Sequence, residues 1–147
     1  MEKEIISNNE NLIDKVFVIL KKFKDDPKKF ENIFTQLFEK DFEAQLNEIN
    51  KLKSGLLKGL IISVKELFDV KGYHTRGGTK FLETDISLGD ARCISNIRNA
   101  GGLLLGHTNM TELAYSGLGI NPHYGTPHNP LYPGSVPGGS TSGGAVS

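Results

Sequence analysis

The sequence predicts an α/β fold in which helices cover a mixed, partly parallel β-sheet. Three observations predict it. Apolar residues recur at helical spacing through the first third of the chain. Two short, mostly apolar runs of strand character follow, at residues 60–64 and 103–105. Between them lies another helical pattern, so strand, helix and strand alternate as in a parallel pair with a right-handed crossover.

Each element has a local reason. Leu12, Val16, Ile19, Leu20 and Phe23 fall at i, i+4, i+7, i+8 and i+11, one face of a helix. Asn8 or Asn9 is its expected cap, and Pro27 lies beyond its end. Phe38, Phe42, Leu46 and Ile49 repeat the pattern and predict a second helix. Its charges, Glu39, Lys40, Asp41, Glu43, Glu48 and Lys51, read as a solvated face, and its aromatic stripe as core packing. Gly55 is expected to end it. Residues 60–64 then form a buried strand. Residues 90–100 form a helix with Ile94 and Ile97 inward, stopped by Gly101-Gly102. A second buried strand, 103–105, is closed by Gly106. Asn109 followed by Glu112 has the form of a capping box, which predicts a further short helix.

With 147 residues the chain is one domain's worth, divided into a helical segment 1–54 and a remainder 55–147. The first segment has no glycine and holds 21 of the 34 charged residues. Lysine plus arginine balance aspartate plus glutamate at 17 each, which excludes a polybasic nucleic-acid binder and an acidic tail. No apolar run approaches the roughly 18 residues of a membrane helix. Met1-Glu2-Lys3-Glu4 does not begin a signal peptide, and Cys93 is the only cysteine, so a reduced, cytoplasmic setting is expected. After Glu112 no Asp, Glu, Lys or Arg occurs, and five of the six prolines lie within 122–137. So uncharged an end is expected to be buried against a later part of a longer chain.

Two places carry potential chemistry. Lys65 stands at the end of the first apolar strand. On periodicity alone, a lysine snorkelling out of the strand end is the commoner reading. In a poorly solvated site, however, desolvation lowers its pKa, and the neutral amine becomes a base. The second place is 137–144, Pro-Gly-Gly-Ser-Thr-Ser-Gly-Gly. Gly138 and Gly143 have phosphate-loop spacing, but Gly144 stands where that loop needs lysine. A flexible linker is the bland alternative, although linkers rarely pack three hydroxyls between paired glycines after a proline. His107, His123 and His128 lack an H-E-x-x-H pattern or a close carboxylate, so no metal is assigned. No basic patch with interleaved aromatics points to nucleic acid.

Taken in order, these pieces resemble the amidase signature family. Residues 59–66, Gly-Leu-Ile-Ile-Ser-Val-Lys-Glu, resemble its G-x-P-x-x-V-K-D segment. Thr75, Gly78 and Thr79 match T-x-x-G-S, and Asp90-Ala91 with 97–102 match D-A and L-R-x-A-G-A. Residues 106–112 resemble G-K-T-N-x-x-E, and Asn129-Pro130 with 137–143 resemble N-P and P-G-G-S-S-[SG]-G. The departures are Glu66 for Asp, isoleucine at 61–62 in the region of a common proline, Thr79 and Thr141 for Ser, and His107 for Lys. The resemblance implies an incomplete amidase signature fold preceded by N-terminal helices, and a Ser–cis-Ser–Lys amidase cleaving small-molecule carboxamides without a cofactor. Lys65 takes the place of the base. Ser140 takes the place of the serine that relays its proton across a cis peptide bond, and Tyr115 and Ser116 take places lining the acyl pocket. The family's nucleophilic serine lies in a later Gly-Gly-Ser loop, so the chain is expected to be truncated before it, inactive alone and poorly soluble. Two alternatives accompany this reading: the A subunit of a glutamyl- or aspartyl-tRNA amidotransferase, and a non-catalytic truncated remnant. A homodimer or amidotransferase partner subunits are the expected assemblies, with no direct nucleic-acid contact.

Overall fold

The computed structural model describes residues 10–82 and 85–147. Helix α1 (Glu10–Asp25) uses the predicted face: Leu12 and Val16 are buried, and Ile19, Leu20 and Phe23 pack against the same core. Its expected caps, Asn8 and Asn9, lie outside the described residues.

The helical front is interrupted. Phe34–Leu37 is a strand, β1, followed by a 3-10 turn at Glu39–Asp41, and helix α2 starts only at Phe42 and runs to Lys51. Phe38 therefore reaches the core from a turn rather than from a helix. Its ring is fully buried, 4.2 Å from the Tyr73 ring and 4.9 Å from His107. The i, i+4 spacing to Phe42 describes a shared destination, not a shared helix.

Strands β2 (Ile61–Lys65) and β3 (Leu103–Thr108) flank helix α3 (Arg92–Asn99) in sequence and pair in parallel. Strand β1 pairs with the other side of β3, antiparallel, giving the order β1-β3-β2. The sheet is thus mixed, with helices packed on it, as the α/β class requires. The stop after α3 is a left-handed Gly101 (φ 88°), with Gly101 N donating to Arg98 O and Gly102 N to Ile97 O.

Gly106 does not close β3. The strand continues through it to Thr108, and every residue of it is buried. Register shifts on both sides of the strand bring neighbours close: a Cβ at Gly106 would stand 2.5 Å from Gln36 O. Gln45 of α2 reaches the same strand, donating from Nε2 to Leu104 O and accepting from Leu104 N.

The capping box at 109–112 is also absent. Asn109 Oδ1 accepts from the adjacent Met110 N at 2.8 Å, and its Nδ2 donates to Asn32 O and Gly125 O at 2.9 Å each. Only a 3-10 turn forms at Glu112–Ala114, without a side-chain cap. Helix α4 (Ser142–Val146) follows the proline-rich stretch and sits against β2 and β3. Among the described residues, no helix is long and apolar enough to cross a membrane.

Candidate active site

Parallel pairing places the carboxyl ends of β2 and β3 side by side, with Lys65 opposite Thr108. In open α/β sheets that edge is where ligands collect. The backbone leaving β3 then holds the glycine-rich loop. Gly143 N donates to Asn109 O at 2.8 Å, and Thr111 N donates to Ser140 O at 2.9 Å. Gly139 N donates to Gly117 O, and a Cβ at Gly139 would lie 2.6 Å from Gly119 N. Glycine is what lets those two segments touch. The Gly139–Ser140 peptide bond is cis.

This scaffold brings Lys65 Nζ within 2.6 Å of Ser140 Oγ, across 75 residues of sequence. Lys65 is half-buried, and burial lowers its pKa from the ordinary lysine value. The ammonium form loses water there, so the neutral amine is favoured more than at a surface position.

Glu66, the next residue, lies just past the end of β2 and meets different partners. Its side chain is fully buried. Oε1 accepts from Thr35 Oγ1 at 2.8 Å and from Arg76 Nη1 at 3.3 Å. Burial pushes its carboxyl up, while the Thr35 hydroxyl and the Arg76 guanidinium pull the other way.

The other candidates separate. Ser116 lies against the relay loop through its backbone, and its Oγ accepts from Leu118 N. Tyr115 stands 95% exposed, its ring in solvent. His107 is buried against Phe38, with Nε2 3.1 Å from Phe68 O. His123 does have a carboxylate partner: Nε2 lies 2.7 Å from Glu112 Oε1, a pairing hidden by the 11 residues between them. Among the described residues no group of three or more His, Cys, Asp or Glu side chains converges as a metal site would.

Sequence reasoning gave Asn109 another role, that of a helix cap, and gave Asn121 and Thr111 none of their own. Asn109 and Asn121 use their amides to tie loops together, Asn121 Nδ2 donating to Gly78 O and Met110 O. Thr111 holds Ser140 through its backbone. For Asn121 the only signal in the sequence was its turn-rich surroundings.

Residues 20–147 match the Amidase family model. The chain belongs to the amidase family. It is 46% identical over 92 residues to Amidase 1 of Arabidopsis thaliana, covering 61% of this chain and 22% of that protein. It is 34% identical over 136 residues to the A subunit of glutamyl-tRNA(Gln) amidotransferase from Methanococcus maripaludis, covering 92% of this chain and 31% of that one. A crystal structure of an amidase superposes with a TM-score of 0.75 at 32% identity, over 95% of this chain and 32% of the other. This amidase chain therefore spans between a fifth and a third of the length of such relatives.

Proposed function

We propose that Lys65 and Ser140 are the base and the proton relay of a Ser–cis-Ser–Lys amide hydrolase acting on small carboxamides. The observation that carries this reading is the 2.6 Å contact between Lys65 Nζ and Ser140 Oγ. A serine hydroxyl is a poor nucleophile without a base in reach. With Lys65 neutral, its lone pair accepts the Ser140 proton as Ser140 Oγ accepts one from an attacking seryl hydroxyl. The attacking oxygen bonds to the amide carbon, the C–N bond breaks, and the proton returns through Ser140 to the departing nitrogen; water then adds to the acyl carbon by the same proton route, the ester bond to serine breaks and the carboxylate leaves.

The attacking serine belongs, on this reading, to a stretch outside residues 1–147. Of two nearby serines, one is shut away from solvent and the other is hydrogen-bonded. Ser142 is fully buried, and Ser147 Oγ lies 3.1 Å from Ser63 Oγ. Residues 1–147 alone are thus expected to release no ammonia from simple amides. Release by purified 1–147, abolished by Lys65→Ala, would overturn that expectation. In a chain extended through the attacking loop, Lys65→Ala and Ser140→Ala each lower kcat by about 10³-fold or more. Unchanged turnover in either variant would remove these residues from the mechanism.

One observation favours the A subunit of an amidotransferase instead: the M. maripaludis relative aligns with 92% of this chain, against 61% for Amidase 1. Glutamine-dependent ammonia transfer to co-purifying partner subunits would establish that reading. A stop codon directly after codon 147 would favour a non-catalytic remnant.

A further inference from the structure

The base and relay are joined by more than their own contact. Starting from Lys65, Glu66 O accepts from Gly77 N at 3.0 Å. Gly77 O accepts from Leu113 N at 2.8 Å, and two residues back Thr111 N donates to Ser140 O at 2.9 Å. The Lys65–Ser140 contact closes this circuit. The turn at 76–79 is therefore a strut between the strand that bears the amine and the loop that bears the hydroxyl. Leu113, which receives the strut, has φ 49° and the next residue, Ala114, φ 58°. Left-handed backbone at two successive non-glycine residues persists only where the surroundings enforce it.

We propose that Glu66 and Arg76 are a positioning pair: their buried ion pair clamps the 76–79 turn to β2 and so fixes Lys65 beside Ser140. This rests on the reading of Lys65 as the base. The ion pair is enclosed on both sides, Arg76 being 12% exposed and Glu66 not at all. Thr35 Oγ1 anchors the same carboxylate oxygen to β1, and Glu66 N donates to Thr108 O of β3. One residue thus gathers two strands and the turn behind the amine. Among the described residues, Arg76 is the charge that acts on Glu66, and Arg76 and Asp69 both act on the buried His107.

The test is the titration of Lys65 followed by ¹³C NMR of its ε-carbon, assigned by Lys65→Arg, in the wild type, Glu66→Gln, Arg76→Met and Thr35→Val. Loss of the clamp lets water reach the amine. The expected result is a Lys65 midpoint raised by about half a pH unit or more in both Glu66→Gln and Arg76→Met. A mere field effect predicts opposite signs, since Glu66→Gln removes a negative charge and lowers the midpoint while Arg76→Met raises it. Thr35→Val removes one hydroxyl and is the milder variant should either ion-pair variant fail to fold. It is expected to raise the midpoint less, in the same direction. A midpoint unmoved or lowered in folded Glu66→Gln, or unmoved in Thr35→Val when the other variants do not fold, overturns the positioning role. A wild-type midpoint equal to that of an exposed lysine would instead sink the base assignment itself, so the two failures are distinct.

Discussion

His107 shows how one buried ring ties stability to acidity. It lies within β3, fully enclosed, and burial lowers its pKa from 6.5 to about 4. The folded state refuses the proton that the unfolded chain accepts near pH 6.5. The stabilisation is therefore complete above that pH and is lost as pH falls from 6.5 toward 4, by about 3 kcal/mol in all. Urea unfolding at pH 7 and pH 4.5 should show this fall, and His107→Leu should flatten it. An equally steep fall in the variant would assign the acid sensitivity to other groups. In the sequence, His107 stands out as the residue in place of a commoner lysine, with no hint of its enclosure. That follows from Phe38 and Phe68, which approach from distant segments.

Strand β3 lies between two others and exposes no residue, so its backbone geometry decides the sheet. Gly106→Ala would place a methyl group 2.5 Å from Gln36 O and 3.1 Å from Leu37 Cα. Backbone atoms cannot swing aside as a side chain tip does. The substitution is expected to cost about 1–3 kcal/mol, read as a lower denaturant midpoint at unchanged m-value. A midpoint equal to the wild type would mean that β1 moves freely. Elements with a period of their own were legible in advance: α1, the two parallel strands, and α3 with its glycine stop. Those shaped by distant partners were not. Four residues at β1 carry no reliable period, and only pairing with β3 makes them a strand. The apparent capping box failed because Asn109 Oδ1 accepts from the adjacent Met110 N instead of from a helical amide further on, while its Nδ2 is held by Asn32 O and Gly125 O. The Lys65 and Ser140 pairing was legible only through motif order, since nothing local links residues 75 apart.

Beyond the sheet, the surface carries several exposed apolar side chains. Leu56, Leu88 and Tyr115 are each more than 90% exposed, Leu131 is 79% exposed, and β2 pairs on one side only within the three-stranded sheet. Exposed apolar side chains and an open strand edge favour association. Light scattering on residues 1–147 is expected to give a mass that rises with protein concentration. A monomeric mass across the accessible range would show that these surfaces are self-sufficient. The 75-residue span between Lys65 and Ser140 has one more effect. Because strand, turn and loop must all be seated before the two atoms meet, the chemical reactivity of a single amine toward acylating reagents becomes a gauge of whether the intervening polypeptide has been correctly assembled.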